Sequence, residues 1–401
     1  MGTTSIHPAT PTPTPTGAAR VTLPASASPA PSGRVSHSRT DAGASPVMIR
    51  SRFTQVSLRT AIALLSALVA GFAAVPAAAT AAVTPTKENS GSTRLVWNRF
   101  DPEAPLARLV LGDIRTGHTT ILTRPNPRNF DTEPVRSPDG RSVVFNRESE
   151  AGVQIMVARV DSASAARVID TGCDAIADCA DDVNPTWAPD GRHVLFTRVL
   201  GPFDPVTGDA TSALLMISRL DGSGARRFSE PGTHGTTEDN VARFAPDGQH
   251  VVFVRDQPID GELHFALFRM RVDGTDVQQL TPWELNADRP SVSPARYGPT
   301  AGLVAFETFG GGNAGRGDIA VLPLGCRSLA ACTRDTRLVT HNAGSPRSSF
   351  AATWSPGGDQ LAYAQEPDTS GLVDIWTSRW DGRHARRVTS SGHEFSPAWS
   401  F

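Results

Sequence analysis

The amino-acid sequence predicts an all-β protein, a six-bladed β-propeller of four-stranded antiparallel blades whose ring is closed by the C-terminal strand joining the N-terminal strands. Three observations predict it. A short strand that runs into Pro-Asp-Gly and then into an apolar strand recurs along the chain, the aromatic residue of that second strand keeps a fixed distance from the first, and the two chain ends carry complementary parts of one more copy.

The copies read Pro134-Val-Arg-Ser-Pro-Asp-Gly-Arg-Ser-Val-Val-Phe145, Pro185-Thr-Trp-Ala-Pro-Asp-Gly-Arg-His-Val-Leu-Phe196 and Ala242-Arg-Phe-Ala-Pro-Asp-Gly-Gln-His-Val-Val-Phe253. A fourth, Pro290-Ser-Val-Ser-Pro294, reaches Phe306 after a longer turn, and a fifth runs Ala352-Thr-Trp-Ser-Pro-Gly-Gly-Asp-Gln-Leu-Ala-Tyr363. In four of the five the aromatic lies nine positions after Arg136, Trp187, Phe244 or Trp354.

Each unit has a simple physical reading. Pro presets φ and Gly accepts φ > 0, so the first strand reverses tightly into the second, Val143 to Phe145, Val194 to Phe196 or Val251 to Phe253. A variable loop precedes a third strand, predicted at 154–158, 214–218, 266–270, 318–322 and 374–378. The Asp-Gly pairs at 221–222, 273–274 and 381–382 then turn the chain into a fourth strand that ends at Ser229, Thr281 or Thr389. Four strands every 45 to 60 residues or so make a blade. Residues 95–123 supply strands two to four without a first strand, and Pro397-Ala-Trp-Ser-Phe401 supplies a first strand with nothing after it. Joined, they complete a sixth blade and remove the exposed sheet edges of an open array.

The repeat resembles the WD40-like repeat of the TolB family, with its Pro-x-Trp-Ser-Pro-Asp-Gly-Arg strand and turn and its later Asp-Gly turn, over essentially all of residues 93–401. The resemblance implies a six-bladed propeller in an exported bacterial protein. The separate N-terminal α/β domain of TolB has no counterpart in residues 1–82.

Residues 1–47 are Pro/Ser/Thr-rich and lack any hydrophobic period, so they are expected to be a disordered leader, or an over-extended start ahead of Met48. Arg50, Arg52 and Arg59, the uncharged run 61–75 and the small residues 77–82 then read as a signal peptide spanning 48–82, with an uncleaved membrane anchor as the rival reading. A linker, 83–92, leads into the propeller at 93–401. Removing residues 1–82, with 6 Arg and 1 Asp, leaves 32 basic and 39 acidic residues and a charge of −7. Such a domain lacks the cationic surplus that nucleic acid requires. In an oxidising compartment the four cysteines are expected to form two local disulfides, Cys173 with Cys179 and Cys326 with Cys332. Their wide spacing argues against zinc.

Five positions ahead of the strand ends the six copies carry Asp131, Asp182, Asp239, Ala287, Ser349 and Glu394. Around one channel mouth the four carboxylates would bind calcium or a basic peptide segment, although Asp ahead of a strand also makes a local Asx turn. His234, His341 and His393 lie in loops entering first strands, whereas His193 and His250 start second strands and are expected to be structural. The loops 201–209, 256–261, 310–317 and 366–371 are unalike and fall on the same face, which suggests a partner-binding side. The glycines at 310–312 lack the Lys of a phosphate-binding loop, and no Gly-x-Ser-x-Gly elbow occurs. The expected role is that of an exported, monomeric, non-catalytic propeller that binds a protein or peptide through its channel mouth and long loops. The alternative is a metal-dependent lyase, lactonase or hydrolase acting on a carbohydrate or lactone at the same mouth, held by His and carboxylate ligands.

Overall fold

The computed structural model describes residues 93–399 apart from 162–164, 202–211, 230–237, 261 and 311–315. The leader, the apolar segment and the linker read from the sequence lie outside the described residues. Within these the chain is all-β and is built from four-stranded antiparallel sheets in a propeller arrangement.

The chain enters through β1 (Arg94–Phe100), β2 (Ala107–Asp113) and β3 (Thr119–Ile121). Five four-strand sets follow in order. They are β4 (Phe130–Arg136), β5 (Ser142–Ser149), β6 (Gly152–Arg159) and β7 (Arg167–Val168); then β8 (Cys179–Trp187), β9 (His193–Leu200), β10 (Ser212–Arg219) and β11 (Arg226–Arg227). Next come β12 (Glu238–Phe244), β13 (His250–Ile259), β14 (Glu262–Arg271) and β15 (Gln278–Gln279), and β16 (Ala287–Val292), β17 (Leu303–Thr308), β18 (Asp318–Pro323) and β19 (Arg337–Leu338). The last full set is β20 (Ser348–Trp354), β21 (Gln360–Glu366), β22 (Asp374–Arg379) and β23 (Arg386–Arg387). The remaining strand, β24 (Glu394–Trp399), pairs antiparallel with β1, Leu95 opposite Trp399 and Arg99 opposite Glu394. The sheet containing β24, β1, β2 and β3 touches the β4 set through a single parallel bridge, Ala107 to Phe130.

The turns form as their chemistry dictates. In the first reversals Gly140, Gly191 and Gly248 have φ of 68°, 63° and 68°, a region closed to most side chains. The preceding Asp accepts backbone N–H groups ahead, Asp190 from Arg192 and His193, Asp247 from Gln249 and His250. The rings of His193 and His250 hydrogen-bond the same carboxylates at 2.6 and 2.7 Å, so both histidines serve the turn.

Middle strands are buried on both faces, which explains why they read as continuous apolar runs instead of alternating ones. Val143 and Phe145 of β5 face Val96, Leu109 and Leu111, while Val144 between them faces Trp187, Val194 and Phe196 of the next sheet. Similar clusters join each sheet to its neighbour, and the one that unites Ala362, Val373 and Ile375 with Leu95, Trp97 and Trp399 brings the last full set against the first strands. Phe145, Phe196, Phe253 and Phe306 are fully buried, each worth about 1.5–3 kcal/mol of transfer free energy.

Three local expectations differ from the structure. Residues 256–259, expected in a long loop, continue the β13–β14 ladder, with Asp256 opposite Phe265 and Ile259 opposite Glu262, because Asp260 at φ 53° allows a tight reversal. The fourth strands shrink to two or three residues, and the hydroxyl just beyond takes over the next backbone partner: Thr123, Ser229, Thr281, Thr340 and Thr389 accept the N–H groups of Leu109, Leu215, Leu267, Ile319 and Ile375. A helix, α1 (Leu329–Asp335), capped by the Ser328 hydroxyl on the Ala331 N–H, stands between β18 and β19 in a chain read from its sequence as all-β. Both disulfides are present, with Cα–Cα distances of 5.4 Å for Cys173–Cys179 and 5.2 Å for Cys326–Cys332. No helix of the described residues is long and apolar enough to cross a membrane.

Candidate functional site

The first strands of the sheets are not regular. Three residues before its end, each carries a non-glycine residue in the left-handed region: Glu133, Asn184, Val241, Arg289, Ala351 and Ser396, at φ between 40° and 54°. The ladder register shifts at the same place in every case. These are β-bulges, and they re-aim a side chain at the cost of local strain. Freed N–H groups find side-chain oxygens, Asn184 on Asn146 at 3.0 Å and Ala351 on Glu307 at 2.6 Å. Sequence reasoning missed these residues because their types have nothing in common; only their shared offset marks them.

The expected acidic set lies two residues upstream of the bulges, and it is not open. Asp131 is held by Arg147 at 2.7 and 2.8 Å, Asp182 by Arg198 at 2.8 Å twice, and Asp239 by Arg255 at 2.7 and 3.0 Å. Glu394 takes Arg99 at 3.0 Å and the Ser391 hydroxyl at 2.7 Å. All four carboxylates are buried. The partner is always the residue directly opposite on the second strand, two positions beyond the apolar run's aromatic, and three of the guanidiniums lie over that ring, 5.4 to 5.8 Å from its centroid. In the two first strands without the acid, Gln365 donates to Ser349 at 2.9 Å and Ala287 stands opposite Thr308. The acidic set expected to face a calcium ion or a basic segment is thus neutralised inside each blade, since a buried carboxylate is held most cheaply by a bidentate arginine.

Between the first strands lies a cavity of about 270 Å³. It belongs to the half of the channel nearer the Pro-Asp-Gly turns, and its lining includes Pro138, Pro189, Pro246 and Pro294, Trp187 and Phe244. The expected binding face was the opposite one. Ionic groups cross its wall. Arg289 pairs with Glu133 and lies 3.4 Å from Glu307, and the Ser396 hydroxyl donates to Glu133 at 3.1 Å. Burial pushes Glu307 up to about 8, with Asp288 adding to the rise and Arg289 opposing it. Burial would raise Glu133 too, but Arg289 and Ser396 hold it below the usual range. Arg243, also on the wall, is lowered to about 10 by burial and by Arg289, against Glu133. Farther out, Asp256 is fully buried with neither oxygen hydrogen-bonded, and burial with Glu238 and Asp288 nearby raises it well above the ordinary range.

Of the histidines, His234 lies outside the described residues, His341 is exposed, and His393 is half-buried at the start of β24, its carbonyl accepting the Phe100 N–H at 2.9 Å. Among the described residues no group of three or more His and carboxylate side chains converges at ligating distance. The group that does converge is Cys173, Cys179 and Asp182, and its two sulfurs are bonded to each other. Parts of the loops 201–209 and 310–317 lie outside the described residues.

No family model matches the chain. An uncharacterized protein of Agrobacterium fabrum, Atu1656, is 29% identical over 148 residues, 37% of this chain and 47% of that protein, so the match spans about half the length of the relative. Among solved structures, TolB from Acinetobacter baumannii is similar at a TM-score of 0.56 and 17% identity, covering 78% of this chain and 67% of its own. The hydrazine synthase of Kuenenia stuttgartiensis is similar at 0.53 and 12%, covering 76% and 46%. At these identities the likeness speaks for the fold alone, and it joins a TolB to an enzyme. By fold, the described chain is a β-propeller similar to that of TolB.

Proposed function

We propose that this chain is an exported six-bladed propeller, closed by β24 on β1, which binds a protein or peptide partner at its central channel and performs no chemistry there. The observation that supports this best is the state of the four carboxylates: each is spent on an arginine of its own blade, so they brace the strands instead of presenting ligands to a metal or a proton to a substrate. The space left in the channel is walled by proline, tryptophan and phenylalanine with a few charged groups, a surface suited to a polypeptide segment. Two disulfides fit an oxidising compartment.

A photocrosslinking amino acid placed in intact cells at Val135 or Thr353, both on the channel wall, tests the reading against the same probe at the exposed Ile121. One defined adduct from the channel positions and none from Ile121 is expected; equal labelling from both, or none from the channel, would sink it. A metal-dependent enzyme at the same channel would instead show a transition metal in the purified protein that is lost in the Asp182→Ala, Glu394→Ala double variant.

A further inference from the structure

We propose that the turn-side half of the channel is a carboxylate-binding site in which Arg136, supported by Arg243, is the anion's principal contact. This deepens the binding reading above and rests on it for an accessible channel.

Arg136 stands where the other first strands place Trp187, Phe244, Val292, Trp354 and Trp399. That position is a wedge in the seam between sheets. The indole N–H of Trp187 donates to the Val135 carbonyl of the preceding first strand at 3.0 Å, and that of Trp354 to Ser291 at 3.0 Å, so an aromatic fills the seam and satisfies its one polar atom. Arg136 is only 5% exposed in the same place. Its Nη2 donates to the Gly140 carbonyl, yet Nε and Nη1 are buried without a hydrogen-bond partner. The charged groups acting on it are Arg94, which repels it, and Asp139, whose carboxylate already takes the Ser137 hydroxyl and the Arg141 N–H. Burial lowers Arg136 to about 10, so it keeps its charge at neutral pH. A buried guanidinium with two idle nitrogens is costly and is normally matched by an anion.

The cavity that Arg136 lines supplies the room. Arg243 and Arg289 share its wall, and its one carboxylate, Glu133, is already engaged by Arg289 and Ser396. Two positive charges, those of Arg136 and Arg243, are therefore left to the cavity. A planar carboxylate matches the fork of a guanidinium, so an anion of that class fits the two charges left. That carboxylate could arrive on an acidic peptide or on a small organic acid.

Dansyl-labelled, C-terminally amidated hexaglutamate and hexaglutamine, with unlabelled citrate, separate these cases at physiological salt. Hexaglutamate is expected to bind and hexaglutamine not to. Citrate that displaces the peptide identifies free acids as a source as well; citrate that fails to displace it assigns the site to peptide carboxylates. Arg136→Trp, which installs the wedge residue that three of the other five first strands use, should keep or raise the melting temperature and weaken hexaglutamate at least tenfold. Arg136→Gln, which removes the charge with less change in shape, should weaken it similarly. Unchanged hexaglutamate affinity in either folded variant overturns the proposal, as does a wild-type protein that binds neither hexaglutamate nor citrate. That last result would leave a specific channel crosslink standing, so the two readings fail separately.

Discussion

Asp239 and Arg255 show how much a single pair carries. The carboxylate is fully buried, both of its oxygens are taken, and the guanidinium lies over Phe253 and Phe268. Asp239→Asn removes the countercharge and leaves a largely buried arginine, so chemical denaturation should show a loss of about 3–5 kcal/mol, most of it recovered in the Asp239→Leu, Arg255→Met double variant. Titration gives a second residue-scale expectation. Burial, aided by Glu133 and Asp181 and opposed by the Thr132 hydroxyl, takes Glu148 from an ordinary 4.5 to about 7, and Glu307 rises from 4.5 to about 8. The folded chain therefore holds protons that the unfolded chain has released. The stabilisation is complete below pH 4.5 or so and fades as pH rises through 7 and 8; the urea midpoint should fall over that window, and Glu148→Gln should flatten its lower part. The positions of Asp131, Asp182, Asp239 and Glu394 were legible in the sequence as a repeated offset. Their arginines repeat just as regularly at Arg147, Arg198, Arg255 and Arg99, but seeing the pair requires strand register, which single-strand reading does not provide.

At the scale of elements, strand order and turn positions were legible because Pro, Asp and Gly act locally. The bulges were not, since a left-handed Val241 or Ala351 is imposed by packing around the channel against the preference of the residue itself. Helix α1 was missed for a related reason: seven residues are too few to hold a helix by propensity, and Cys332, buried within it and bonded to Cys326, anchors it to the blade. Replacing both cysteines by serine should cost about 2 kcal/mol on the loop-entropy estimate. Hydrogen exchange should quicken first over 329–335, while the β16–β18 ladder stays protected; uniform loss of protection would show that the disulfide supports the whole blade instead.

At the scale of the whole molecule, β1 and β24 pair although they lie far apart in the sequence. Deleting 394–401 strips β1 of its outer partner and removes Trp399 from the cluster with Leu95, Trp97 and Ile375. Thermal unfolding followed by circular dichroism and by tryptophan fluorescence should then lose its single coincident transition; an unaltered transition would mean that the seam adds nothing to cooperativity. This pairing was legible from the sequence because an incomplete blade at one end and a spare strand at the other admit few other partners. Its register also has a mechanical side. The first residues of β1 lie beside the last of β24, Leu95 across from Trp399, so a force that separates the chain ends loads the hydrogen bonds one after another instead of all together. A joint expected to melt together with the rest of the molecule would therefore open under tension like a zip, and the seam is where a pulled molecule would yield first.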